Sequence, residues 1–157
     1  MGKNVRKAVR KMDRVNGKFS RHITSFIIPK THLASGRAVA ATSLELMALV
    51  VKAWPVAEEN GGTSRAAWNV SLEGLGGTGT KAGAAEEAAG RAKGKLFKKL
   101  LGSKPLVRMT NGVDYAIFLE AGHSKQAPKG VLRQAFRFIM TGHVANREFA
   151  AKWRGIR

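Results

Sequence analysis

The sequence predicts an α+β domain, a small β-sheet packed against helices, carrying basic N- and C-terminal extensions. Three observations lead there. Apolar residues recur at helical spacing around residues 35–54 and again around 130–140. Two short runs, "AAWNVSL" and "PLVRMTN", read as strands. The charge is uneven: 28 Lys and Arg stand against 10 Asp and Glu, a formal +18 over 157 residues. A chain of this length suits one domain with a sizeable core. Residues 1–37 hold ten bases and one acid, and residues 123–157 eight and one, whereas 38–122 hold ten and eight. The expected division is a basic arm over 1–34, an α+β body over 35–141 and a basic tail over 142–157.

In chain order, "KNVRKAVRKMDRV" spaces Val5, Val9 and Met12 like one face of a helix, so the arm is either a short basic amphipathic helix or a partly disordered segment. "SGRAVAATSLELMALVVKAW" sets Val39, Leu46 and Val50 on one face, with Leu44, Met47 and Val51 beside them, and Pro55 stops the helix. "AAWNVSL" alternates through Trp68, Val70 and Leu72, the period of a strand. "GLGGTGTKAG" reads as a flexible turn. "AAEEAAGRAKGKLFKKLLG" resumes a helical pattern, weakened by Gly90 and Gly94 at about 1 kcal/mol each relative to Ala. "PLVRMTN" is the second strand, and "DYAIFLEAG" a short helix or strand ending at Gly122. "GVLRQAFRFIM" places Leu132, Phe136 and Ile139 at core spacing, with "EFAAKWRGIR" as its continuation or as a separate tail.

Chemistry-bearing patterns are sparse. The absence of Cys excludes disulfides, thiolate metal sites and a Cys nucleophile. His22, His32, His123 and His143 are dispersed without metal-ligand spacing. "GLGGTGTK" lies where a phosphate loop belongs, yet Thr80 precedes Lys81, the reverse of the order such a loop requires. Glu120, His123 and Ser124 are neighbours in sequence, which suits capping and turn roles more than a catalytic triad built from separate elements. No cofactor is expected. No apolar run of signal-peptide type opens the sequence and no segment is expected to cross a membrane, so the chain reads as made in a reducing cytoplasm.

The strong positive charge favours a polyanionic partner. Lys3, Arg6, Lys7, Arg10, Lys11 and Arg14 are the candidate contacts, either to double-stranded DNA, bound without sequence preference through its phosphates, or to acidic surfaces of protein neighbours. Few aromatic residues interleave with them, which disfavours single-strand recognition.

Two stretches carry a family resemblance. "VKAWPVAEENGGTSRAAWNVSL" and "MTNGVDYAIFLEAGHSKQAPKGVLRQAF" are similar to segments of the neck proteins of tailed double-stranded-DNA phages, a family also described as tail-completion, minor tail or head-tail joining proteins. In the second, the pattern is met at Thr110, Asn111, Tyr115, Ala116, Leu119, Glu120, Gly122, Ser124, Gln126, Ala127, Pro128, Gly130 and Arg133. The resemblance implies a structural virion protein: a closed ring of identical subunits at the head-tail junction, contacting neighbouring connector and tail proteins, with DNA passing through its lumen. A closed ring of this kind is heterologous, each subunit offering two different faces. The loop residues Glu120, Gly122, Ser124, Gln126, Pro128, Gly130 and Arg133 would then form a subunit contact or lead into the last helix, without a reactive side chain. The alternative that charge alone supports is a free, sequence-nonspecific nucleic-acid-binding protein.

Overall fold

A computed structural model describes residues 3–56, 62–81 and 83–156, with only the backbone described for 3–9. The fold is α+β: seven α-helices and one two-stranded antiparallel sheet among the described residues. The chain opens with α1 (Lys3–His22), which runs through a π-helical turn (Ile23–Ile27) into α2 (Ile28–Ala53). Ile28 N–H reaches back to Ile23 O across that turn. Pro29 lacks the N–H that would continue the regular ladder. The Thr24 and Ser25 hydroxyls donate to the carbonyls of Ser20 and Arg21, at 3.0 and 2.5 Å, which competes with helical bonding just upstream. The basic arm is thus a helix continuous with the body, and burial begins at Ala34.

The remaining elements are α3 (Thr63–Gly74), α4 (Ala84–Lys93), β1 (Gly94–Lys99), β2 (Leu106–Asn111), α5 (Ala116–Glu120), α6 (Leu132–Thr141) and α7 (Val144–Arg154). α2 is the central rod. Its Leu46, Met47, Val50, Val51 and the following Trp54 form one core with Ala67, Trp68 and Leu72 of α3, Ala135 and Ile139 of α6, and Val144 of α7. Trp54 adopts an extended backbone directly before Pro55, the conformation that a following proline imposes. Its ring meets Trp68 edge to face, centroids 5.6 Å apart. Arg65 Nη2 donates to the Trp54 carbonyl at 2.5 Å, placing a cation where the α2 carbonyls point; burial pulls the Arg65 guanidinium below its usual pKa.

Several expectations are corrected. "AAWNVSL" is helical, not a strand. The apparent alternation through Trp68, Val70 and Leu72 lies inside a better helical match, since Ser64, Ala67, Trp68, Ser71 and Leu72, at helical spacing, are among the buried residues and Trp68 and Leu72 share a face as i, i+4 neighbours. The sheet is instead β1 with β2, pairing Leu96 with Met109 and Phe97 with Arg108. Gly90 does not merely weaken its helix. A Cβ there would overlap the Thr63 carbonyl and the Ala66 methyl, so glycine lets α4 lie directly on α3. At Gly94 helix gives way to strand. In α6 the buried line is Ala135 and Ile139, while Phe136 is 51 % exposed. Apolar residues cover more than half of that helix, so spacing alone leaves the core face undefined.

Residues 142–157, expected as a tail, contain α7. Val144 is 1 % exposed, Arg147 meets Glu45 of α2 at 3.4 Å, and Lys30 of α2 lies 4.9 Å from the Trp153 ring centroid. The "GLGGTGTKAG" turn is tethered: Asn69 Nδ2 donates to Thr80 O at 2.6 Å and Thr80 N donates to Asn69 Oδ1 at 3.3 Å. Asn69 is 1 % exposed within a helix, and the segment that precedes the turn is helical. Contrary to expectation, the continuous helix Arg10–Ala53 contains an 18-residue stretch apolar enough, by length and composition alone, to cross a membrane, with mean hydropathy 1.3. The α2 part of that helix commits one face to the core described above. Within the first of the two resembling stretches, residues 57–61 lie outside the described residues.

Candidate functional site

The second motif folds as a device that holds two helix ends. Asn111, the last residue of β2, donates through Nδ2 to both the carbonyl and the hydroxyl of Ser64, each at 2.9 Å, and accepts from Val113 N at 3.1 Å. The Tyr115 hydroxyl accepts the Ser64 N–H at 3.2 Å. Ser64 lies in the first turn of α3, where backbone N–H groups lack intrahelical partners. Asn111 and Tyr115 therefore fix the start of α3 from across the domain.

Glu120 does the same for α6. Its Oε2 accepts from Val131 N and Leu132 N at 2.8 Å each, and its Oε1 from Arg133 N at 2.9 Å. One carboxylate thus occupies the positive end of α6, as an N-cap would, from eleven or more residues away. Between them the chain turns back at Gly122 and Gly130, whose φ angles are +87° and +71°. A side chain at Gly130 would be strained and would also meet the Glu120 carbonyl. Ser124 Oγ accepts from Gln126 N at 3.2 Å, Gln134 Nε2 donates to Gly130 O at 2.7 Å, and Ala127 is driven into the core at 4 % exposure. The His123 ring stands beside Phe118, centroids 5.9 Å apart.

Of the expected loop residues, Glu120, Gly122, Ser124 and Gly130 are thus engaged in shaping the lead into α6. Gln126, Pro128 and Arg133 are the exposed ones. Gln126 borders an open groove of about 370 Å³ lined further by Leu49, Ala53, Val131, Gln134 and Phe138. Beside this groove the outer faces of α5 and α6 present Ile117, Phe118, Phe136, Phe138 and Met140, all more than half exposed. The hairpin bears a further apolar group: Phe97, Leu101 and Leu106. Leu96 and Met109, on the opposite side of the same strands, are half-buried.

The basic candidates divide. The side chains of Lys3, Arg6 and Lys7 lie outside the described residues, while Arg10, Lys11 and Arg14 are exposed on α1. Elsewhere one group of charges is knitted together. Arg91 binds Glu73 through two nitrogens at 2.8 Å and Glu87 at 2.7 Å, and these carboxylates hold its pKa above the ordinary arginine value. Sequence reading missed this triad, the Asn111–Ser64–Tyr115 cluster and the outward aromatic face of α5 and α6. Apart from the i, i+4 pair of Glu87 and Arg91, the first two join residues 18 to 51 positions apart, a range that local periodicity does not reach. Among the described residues no group of three or more His, Asp or Glu side chains is placed to hold a metal ion.

Comparison with protein-family models, with curated proteins and with solved structures found no match.

Proposed function

We propose that the chain is a structural virion protein that forms a closed homo-oligomeric ring at the head-tail junction of a tailed phage, completing the tail or connector so that DNA passes through its lumen. The observation that carries this reading is the presence of two apolar surfaces on different elements, Ile117, Phe118, Phe136, Phe138 and Met140 on α5 and α6, and Phe97, Leu101 and Leu106 on the hairpin. A head-to-tail ring needs two unlike faces on each subunit, and exposed apolar patches of this kind mark interaction surfaces. The motif resemblance over residues 109–136 supplies the particular assembly. In this reading the 110–133 segment works architecturally: it locks α5 and α6 in place, so that their outer faces form a rigid contact surface.

Mass by light scattering, with images of the purified particle, tests the proposal. A stable ring is expected, and Phe138→Glu should reduce it to protomers that keep their helical signal. A monomer that associates only when DNA is added would favour the nucleic-acid-binding alternative instead.

A further inference from the structure

We infer that α1 is one strand of a heterotypic coiled coil whose partner is an acidic amphipathic helix of a different polypeptide. The inference does not depend on the ring reading. Every residue from Arg10 to His22 is exposed, and Met12, Val15 and Phe19 are 65, 56 and 65 % exposed. An unsupported helix of this length, interrupted by Gly17, is marginal in water. Met12, Val15 and Phe19, followed by His22 and Phe26, are spaced 3, 4, 3 and 4, and in sequence the same spacing runs back through Ala8 to Val5, with Val9 beside that line. His22 and Phe26 stack with centroids 5.3 Å apart, extending the seam to the root of the helix. Alternating steps of three and four define the narrow seam of a coiled coil, whereas a helix that lies in lipid shows a broad apolar face.

Charge selects the partner. Lys11 and Lys18 sit directly before seam positions Met12 and Phe19, where coiled coils pair charges across the interface. Arg10, Arg14 and Arg21 add to them, against the single acid Asp13. A second α1 would bring like charges together. Among the described residues, Glu45, Glu73, Glu87, Asp114 and Glu148 already form ion pairs within the chain and Glu120 caps α6. Duplex DNA would satisfy the bases and leave the apolar seam in water. A helix with an apolar seam flanked by Glu or Asp satisfies both.

The test uses the full chain and two labelled synthetic peptides of equal length, each with Leu at the seam positions, one flanked by Glu and the other by Lys. Fluorescence anisotropy should show the Glu peptide bound about tenfold or more tighter than the Lys peptide, and Phe19→Ser should weaken that binding by about tenfold. Lys11→Glu with Lys18→Glu should invert the preference. These positions are exposed, so circular dichroism and the denaturation midpoint should stay unchanged and certify the variants. Equal affinity for the two peptides, or indifference to Phe19→Ser, would overturn the inference. So would Phe19-dependent binding to anionic vesicles or to duplex DNA with the Glu peptide ignored. A fall in the protein's own mass on Phe19→Ser would also overturn it, because the seam would then be covered by a second copy.

Discussion

The two halves of the long N-terminal helix are one continuous rod with opposite fates. From Ala34 to Ala53 it is the axis of the core, with Met47 and Val50 at 0 % exposure. From Arg10 to His22 every residue is exposed, and no described part of the chain covers it. The boundary coincides with the π-helical turn at Ile23–Ile27 and with the change from a basic sequence to an apolar one. Helical propensity therefore does not distinguish the halves. Packing does, and each half also contains a glycine that reports on it: Gly36 meets the backbone of Leu100, whereas Gly17 has nothing within 4 Å.

The sharpest break in the comparison is to remove the packing from the buried half. Trp54→Ala deletes the indole that closes the end of α2 against Trp68, and large-to-small changes at such sites cost about 3–5 kcal/mol. The matching change on the free half, Phe19→Ala, should stay within about 0.5 kcal/mol of the parent. Urea denaturation of the two variants side by side measures the contrast. Equal losses would mean that α1 packs on the body after all.

A smaller loss should follow from filling the gap at the other end of the buried half. In Gly36→Ala the new Cβ would overlap the carbonyl oxygen of Leu100, in the connection between β1 and β2. Backbone cannot give way as a side-chain end can, so the crossing must open, at about 1–3 kcal/mol. A lowered urea midpoint with a normal far-ultraviolet spectrum is the expected result.

How much of this was legible in the sequence depends on the range of the interaction. The α2 core face was readable because Leu46, Met47, Val50 and Val51 repeat at helical spacing within one element, and β2 was readable as a short β-rich run before Asn111. α3 was misread because seven residues are too few to separate the strand period from the helix period when Trp68, Val70 and Leu72 fit the one and Ala67, Trp68, Ser71 and Leu72 the other. The loop at 120–130 stands out in sequence by its glycines, Gly122 and Gly130, both of which take positive φ. The capping partner of Glu120 is not legible there: it is the start of α6, reached across the loop, a contact fixed only when α5 and α6 are in place.

That reach gives the next test in order of size. Glu120→Ala leaves the first N–H groups of α6 without their carboxylate, a loss of about 1–2 kcal/mol by analogy with other helix caps. Arg133→Ala, exposed on the same turn, should be close to neutral and serves as the control. If the apolar faces of α5 and α6 form the ring contact, Glu120→Ala should also weaken assembly by more than its effect on folding, because the same displaced helix recurs at each contact. Light scattering below the denaturation midpoint separates the two effects.

The smallest effect, and the one that most directly sharpens the comparison, is a gain. Gly17 occupies the free half of the rod, and a Cβ there meets nothing within 4 Å. Its cost is intrinsic: glycine in a helix interior is about 1 kcal/mol less favourable than alanine, through the backbone freedom it gives up. Gly17→Ala should return that amount to α1 without a new contact. Since α1 is exposed from Arg10 to His22, the gain stays local and should not move the urea midpoint of the body. It should appear instead as amide exchange slowed roughly fivefold across the middle of α1, the factor that about 1 kcal/mol produces. The opposite signs of Gly17→Ala and Gly36→Ala, the same substitution in one continuous helix, would then measure what tertiary packing adds to the buried half. A Gly17→Ala chain that unfolds at lower urea would mean that Gly17 faces a neighbour, and that the free half is covered in solution.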